Sequence, residues 1–234
     1  MGYNFVFDKE AEKKCQKMGV SKDKIIQSGW FVRNQFSKPY TVSSIRKKLG
    51  LKKDILTLCV VGGSEGTYGI LKILPAFLVP PKKVQVVMIC GNNKSLLDAV
   101  KTFANLVRMQ NGHQTIFIPL GYTNNMYDYL KAADLVIGKA GPNLLFETIA
   151  TRTPFMAISH IAGQEDGNLE IIKKHKLGFV EENPIKAISI LRKIIKNPKL
   201  LEKFNKTVNN EADKVCIAPA VLRKVLENLS TKHP

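Results

Sequence analysis

The sequence predicts an α/β fold, a Rossmann-like parallel sheet with helices on both faces, and three observations carry that expectation. Continuous apolar runs such as "ILTLCVV" (55–61) and "VQVVMI" (84–89) read as strands buried on both faces, because a strand with one wet face would alternate apolar and polar residues. Segments of helical periodicity separate these runs, so strand and helix alternate along the chain. Several central strands run into glycine-rich or polar turns, and wound parallel sheets gather ligands at that carboxyl edge. At 234 residues and 44% hydrophobic content the chain can bury the core of one large α/β domain.

Taken in order, a short strand at 5–7 leads to a Lys/Glu-rich helix at 9–18, and Ile25 and Ile26 precede the stretch "SGWFVRNQF". A helix at 42–49 stops at Gly50, the residue type that most readily closes a helix. The regular series follows: strand 55–61, helix 68–78, strand 84–89, helix 95–108, strand 115–118, helix 125–132, strand 135–137, helix 144–150, strand 155–158, helix 165–175 and a short strand near Phe179. Helices at 185–195, 199–210 and 220–229 finish the chain, with Pro184, Pro198 and Pro219 where first-turn prolines belong. The polar sequence "RNQFSKPY" within 31–40 is the one plausible joint, dividing the chain into 1–35 and 36–234.

The charge is lopsided: 36 Lys+Arg against 19 Asp+Glu give a formal net charge of +17. Residues 1–50 carry 11 basic and 4 acidic side chains, whereas 101–150 carry 4 and 3, so the excess lies toward the N-terminal side. Such a surface is drawn to anionic lipid headgroups or nucleic acid, unless lysine enrichment is a compositional habit of the source. No aromatic residues interleave with the lysines as a nucleic-acid reader needs, so nucleic acid is not expected as a partner. No apolar run reaches the roughly 18 residues of a membrane span, and "MGYNFVFDKE" lacks the order of a signal peptide, so the expectation is a cytosolic chain. Cys15, Cys59, Cys90 and Cys216 have no metal-ligand spacing and read as free thiols, with Cys59 and Cys90 inside strands. Of the histidines, His160 alone lies near a candidate site.

Strand 55–61 runs into "GGSEGTYG" (62–69) directly before a helix. Glycines there let backbone N–H groups approach an anion, and a helix N-terminus adds favourable partial charge; the same sequence also suits a plain strand-to-helix turn. The Gly-Lys-Ser/Thr ending of a P-loop is missing, and the next strand ends "VMICGNN" without the acid that holds a nicotinamide ribose. ATP hydrolysis and NAD are therefore disfavoured. In "GKAGPNLLFETIATRTPF" (138–155), Gly141 and Pro142 open a helix whose first N–H groups could meet the same diphosphate. Glu147, a turn and a half on, could accept hydrogen bonds from vicinal ribose hydroxyls or pair with a nearby cation. One strand later "ISHIAGQEDGN" (158–168) brings Gln164, Glu165, Asp166 and Asn168, which suit the hydroxyls of a sugar and equally a helix cap.

The order "GGSEG", then "PLGYTNNMYDYLKAADLVIGKAGPNLLFETIATRTPF", then "GQEDGN", with "GWFVR" upstream, resembles the C-terminal, donor-binding half of the GT-B glycosyltransferases of family 28. That group includes monogalactosyldiacylglycerol synthase, processive diacylglycerol glucosyltransferase and the enzyme completing lipid II. The likeness covers about residues 9–180, and its most specific element is the strand, Ala-Gly-Pro, helix and Glu unit followed by Gly-Gln-Glu. It implies that Gly63, Ser64 and Glu65 lie against a diphosphate, with Arg33 offering a cation. Gly121, Tyr122 and Thr123 would hold the uracil. Gly141 and Pro142 would present the helix start to the α-phosphate, Glu147 would take the ribose, and Gln164 and Glu165, with Asn168 beside them, would contact the hexose. Leu144 stands where the family usually has Thr or Ser, so Asn143 would have to replace that hydroxyl.

The resemblance implies an inverting transfer of a hexose from a UDP-hexose to a membrane-lipid acceptor, on a cytoplasmic enzyme lying peripherally on the anionic inner face of a membrane. No cofactor is expected beyond the donor substrate, and no metal, since the chain has no Asp-X-Asp pair. In the family an N-terminal domain binds the acceptor and supplies the catalytic base. Here only its last strand and helix, at 3–18, are expected within the 1–35 remnant, so the catalytic residue is unassigned and a separate acceptor-binding chain is one candidate partner. The alternatives are a UDP-sugar 2-epimerase on the same scaffold, or a non-catalytic nucleotide-sugar-binding subunit of a split enzyme.

Overall fold

A computed structural model describes residues 2–37, 41–111 and 114–230. Eight strands and nine α-helices are formed among them: β1 (Asn4–Val6), α1 (Lys9–Lys17), β2 (Ile25–Gln27), α2 (Val42–Lys48), β3 (Leu56–Val61), β4 (Val84–Ile89), α3 (Lys94–Asn111), β5 (Thr115–Leu120), α4 (Met126–Ala132), β6 (Leu135–Lys139), α5 (Pro142–Ala150), β7 (Phe155–Ser159), α6 (Asp166–Lys174), β8 (Gly178–Val180), α7 (Pro184–Lys196), α8 (Asn205–Cys216) and α9 (Ala218–Ser230). Six strands form one parallel sheet in the order β5-β4-β3-β6-β7-β8. The chain winds outward from β3 to β5, returns beside β3 as β6, and winds outward again. Its order reverses between β3 and β6, the position where open α/β sheets leave a crevice.

Alternation along the strands explains why both faces are covered. Cys59 and Val61 of β3 join a core with α2, α4, α5 and α8, through Ile45, Leu130, Phe146 and Val215. Leu58 and Val60 join a second core with α3 and α7, through Leu96, Val100, Leu191 and Ile194. Burial pushes the Cys59 thiol up to about 12 and the Cys90 thiol up to about 11, so these cysteines are packing residues without thiolate chemistry.

The segment ahead of α2 packs on the first of these cores. β1 and β2 pair in parallel, and the chain then crosses α8 at Gly29, whose φ of +74° and 2.8 Å approach from a built Cβ to the Lys214 carbonyl leave no room for a side chain. Trp30 stacks on Phe146 with ring centroids 4.8 Å apart, and Phe7 meets the same ring at 4.8 Å. Val32 and Phe36 are buried in that core. Residues 38–40 of the expected joint lie outside the described residues, and 34–37 form a 3-10 turn.

Four expectations about elements need correction. The helix over 68–78 is a 3-10 segment, Tyr68–Phe77, because Pro75 in its interior has no N–H to donate and its ring clashes with an α-helical turn. The helix expected over 199–210 is split into a 3-10 segment, Pro198–Phe204, and α8. Its buried anchors Leu201 and Phe204 stand three apart, a spacing that three residues per turn brings onto one face. The strand at 135–137 continues through Gly138 to Lys139, with a register shift between them against β7. The helix after it begins two residues earlier than 144, at Pro142.

Candidate functional site

The carboxyl ends of β3 and β4, the turn after β5 and the first turns of α5, the helix that follows β6, frame a cavity of about 590 Å³. The end of β3 and its turn contribute Val61, Gly63 and Ser64, and the end of β4 contributes Ile89 and Gly91. The turn after β5 adds Tyr122, Thr123 and Asn124, and α5 adds Asn143, Leu144 and Glu147. Trp30, Phe31 and Arg33 close one side.

The β3 turn is locked by backbone. Gly62 N–H donates to the Ile89 carbonyl at 2.8 Å and Thr67 N–H to the Gly62 carbonyl at 2.8 Å. Asn92 N–H takes the Ser64 carbonyl at 2.7 Å, and Asn93 Nδ2 takes that of Gly66 at 2.9 Å. Two glycines permit this interlock: a Cβ on Gly66 (φ +67°) would stand 2.0 Å from the Cys90 carbonyl, and one on Gly91 (φ +60°) 2.3 Å from the carbonyls of Gly63 and Ser64. With the turn's carbonyls engaged below, the amides of Ser64 and Glu65 have no acceptor among the described residues. Successive free N–H groups of this kind form an anion-binding concavity.

Across the cavity, α5 opens without a side-chain cap: Gly141 is its N-cap and Pro142 its first residue. The first bond of the helix runs from Leu145 N–H to the Gly141 carbonyl at 3.0 Å. The N–H groups of Asn143 and Leu144, both at the cavity wall, are therefore the orphan donors of a helix start. No acid occupies this first turn; the nearest carboxylate, Glu165, reaches the N-cap from the next loop, its Oε1 3.5 Å from where a Cβ on Gly141 would stand, and is shared with Lys139. The Leu144 side chain lies over Gly138, where a Cβ would be 2.8 Å from its Cδ2; the exposed neighbour with a polar group is Asn143.

Glu147 side-chain exposure is 17% and that of Arg33 is 59%, and the two pair directly, with Arg33 Nε and Nη2 donating to Glu147 Oε1 at 3.2 and 3.0 Å. Burial holds the Glu147 carboxyl above its usual range, and Arg33 draws it partly back. The Arg33 guanidinium also sits 5.2 Å from the centre of the Phe36 ring, so its position is set by an aromatic face as well as by the carboxylate.

Of the residues singled out in the sequence, Arg33, Gly63, Ser64, Tyr122, Thr123, Asn143 and Glu147 line this one cavity. Gly141 and Pro142 adjoin it at the α5 start, and Gly121 lies beneath the Tyr122 rim against Leu97 and Gly91. Glu65 is exposed outside the lining. Gln164, Glu165 and Asn168 are not among the lining residues either. Gln164 is exposed. Glu165 is buried, with Oε1 accepting from Lys139 Nζ at 2.8 Å and Oε2 from Ile161 N–H at 2.8 Å. Asn168 Nδ2 donates to the Ala140 carbonyl at 2.7 Å. Both side chains brace the turn between β6 and α5. Sequence reasoning missed Gly91, Asn92 and Asn93, although a Gly-Asn-Asn turn at a strand's carboxyl end is the same signal it used for β3. It also gave no role to Trp30 and Phe31. Among the described residues no three His, Cys, Asp or Glu side chains gather as a metal site.

Comparison with known proteins adds a family to this geometry. The family model of the glycosyltransferase family 28 C-terminal domain matches residues 57–216. Monogalactosyldiacylglycerol synthase 1 of Arabidopsis thaliana is 28% identical over 183 residues, 75% of this chain and 33% of that protein. The processive diacylglycerol beta-glucosyltransferase of Bacillus mycoides is 26% identical over 170 residues, 73% of this chain and 42% of its own length. The matches thus span about a third to two-fifths of these curated relatives. Among solved structures, a UDP-GlcNAc 2-epimerase from Neisseria meningitidis bound to UDP-GlcNAc superposes with a TM-score of 0.68 at 14% identity, covering 97% of this chain and 61% of that one. Glycosyltransferases share the fold as well.

Proposed function

The chain belongs to the glycosyltransferase family 28 C-terminal domain family, and from that premise we propose that the cavity framed by β3, β4 and α5 binds a UDP-hexose, the donor of an inverting transfer to a membrane-lipid acceptor. The observation that carries this reading is convergence: the free amides of the β3 turn, the uncapped start of α5 and the Arg33–Glu147 pair face one hollow of about 590 Å³. A diphosphate has the charge and the length to touch both N–H clusters at once. Tyr122 and Thr123 suit a base at the rim, and Glu147 suits the ribose hydroxyls, as a carboxylate acceptor at the cavity wall. Gln164 and Glu165 take the hexose in this proposal.

In the transfer, the acceptor hydroxyl attacks the anomeric carbon from the face opposite the diphosphate, and the bond from that carbon to the diphosphate breaks. Charge grows on the leaving diphosphate, where the Ser64, Glu65, Asn143 and Leu144 amides and Arg33 stabilise it. The base that takes the acceptor's proton, and the wall that excludes water, come from an acceptor-binding partner chain or domain. The names of the diacylglycerol-acting relatives support a lipid acceptor. A net charge of +17 supports residence on an anionic inner membrane face, at about 1 kcal/mol per well-placed cation.

Calorimetric titration with UDP, GDP and dTDP tests the donor. UDP should bind at least roughly tenfold more tightly than either competitor, a difference of about 1.4 kcal/mol; equal affinities remove the base from the reading, and no binding removes the nucleotide. The 2-epimerase shares the fold, so one assay is added: UDP-GlcNAc incubated with this chain should keep its configuration at C2.

A further inference from the structure

The loop from His160 to Glu165, between β7 and α6, is fixed by side chains. Gly163 has a φ of +82° and donates its N–H to Asp166 Oδ2 at 3.0 Å, and Ile161 N–H donates to Glu165 Oε2 at 2.8 Å. His160 ties the loop to two separate elements. Its Nδ1 lies 2.8 Å from Glu182 Oε1, in the connection between β8 and α7, and its Nε2 lies 3.0 Å from Asp166 Oδ1, at the first residue of α6. A neutral imidazole has one N–H, so it would set a bare nitrogen against one of these carboxylates; two carboxylate partners require both nitrogens protonated.

We propose that His160, as the imidazolium, is a positioning residue that clamps the loop 160–165 and so holds Gln164 and Glu165 for the sugar of the bound donor. The role toward the sugar rests on the UDP-hexose reading of the cavity; the clamp itself rests on the two contacts. Other charges around the ring are already engaged. Lys72, from the 3-10 segment after β3, donates its Nζ to the carbonyls of Ile158 and Glu182. Glu181 accepts from Asn183 N–H at 3.0 Å, and Glu165 accepts from Lys139 of β6 at 2.8 Å. Glu182 and Asp166 are left facing the imidazole. The hydrogen bond to Glu182 is the largest cause that raises the ring's pKa above the ordinary 6.5, with the attraction of both carboxylates adding to it against some desolvation. A raised value in the folded chain fixes the sign: the clamp is complete below about pH 6.5 and is lost as pH rises through the folded-state pKa.

The test is a calorimetric titration of the whole chain with UDP, UDP-glucose, UDP-galactose and UDP-GlcNAc from about pH 6 to about pH 9, while NMR follows the His160 ring proton. UDP affinity should show only the second ionisation of UDP's own terminal phosphate at about pH 6, and the advantage of the best sugar nucleotide over the other two, whose diphosphates carry no proton in this range, should fall about fivefold or more at the ring's own inflection. His160→Gln should leave UDP binding unchanged and fix the advantage at its low value at every pH. Glu182→Gln, a gentler change, should move the inflection to lower pH. A preference for the sugar that ignores pH, or that survives His160→Gln, overturns the proposal. Absence of binding by all four nucleotides overturns the cavity reading and the role toward the sugar with it. The clamp is then decided by hydrogen exchange at the Gly163 amide, whose protection should drop as the ring loses its proton; protection indifferent to that proton overturns the clamp.

Discussion

On the β3–β4–β5 side of the sheet the strands end in backbone, and on the β6–β7–β8 side they end in charge. The first rim is held by carbonyls and amides threaded past Gly66 and Gly91. The second is held by Lys139–Glu165, by His160 between Glu182 and Asp166, and by Asn168 on the Ala140 carbonyl. A backbone interlock has no proton to lose and no ion pair for salt to screen, so its shape persists across solution conditions. A side-chain network does both. One rim of the sheet thus keeps a fixed shape around the free amides of the β3 turn, while the neighbouring rim responds to its surroundings.

The largest effect is expected of Gly91→Ala. A methyl 2.3 Å from two carbonyls, at a φ of +60°, should cost about 3 kcal/mol or more and abolish nucleotide binding, read by denaturant midpoint and calorimetry. Gly63→Ala, with nothing within 4 Å of its Cβ, is the control and should cost about 1 kcal/mol from its positive φ alone. Next in size is Glu147→Ala, which should weaken UDP by about 1 to 3 kcal/mol. In the unaltered chain UDP affinity should fall on acidification as the raised carboxyl of Glu147 takes up a proton; unchanged calorimetric affinity in both experiments removes Glu147 from the site. On the charged rim, Lys139→Met strands the buried Glu165 carboxylate and should lower stability by about 1 to 2 kcal/mol. Because the pair it removes is partly solvent-facing, that difference should shrink in high salt, whereas the Gly91→Ala loss should not. The smallest effect belongs to Gln164→Ala, expected to shift the preference among UDP-hexoses by about 1 kcal/mol while UDP itself is unaffected; an equal loss for UDP would make Gln164 structural.

The sheet was legible because its strands are near-continuous apolar runs, and the two glycine-led turns were legible because few folds need bare backbone directly after a strand. Periodicity did not reveal what depends on partners distant in the chain. Glu65 and Ser64 look alike as neighbours in "GGSEG", yet the turn leaves Ser64 at the cavity and Glu65 outside it. Glu165 shows no partner in "GQEDGN", yet Lys139, the last residue of β6 beyond the register shift at Gly138, meets it at 2.8 Å. Pro75 was visible in the sequence and should have argued for the tighter helix from the start. The aromatic stack of Phe7, Trp30 and Phe146 joins residues more than a hundred positions apart, beyond the reach of any local pattern.

If the cavity takes the proposed donor, the Arg33–Glu147 pair would make it a coincidence detector. An anion that captures the guanidinium alone strips a carboxylate at 17% exposure of its counter-charge, a penalty of about 1 to 3 kcal/mol for a buried charged group left unsatisfied. A diol alone must compete with an ion pair already made. A molecule carrying both features, spaced to reach both side chains together, would replace each lost contact as it forms, so in the proposed reading pyrophosphate or ribose alone should bind poorly because of the wiring of two residues and not the size of the hole.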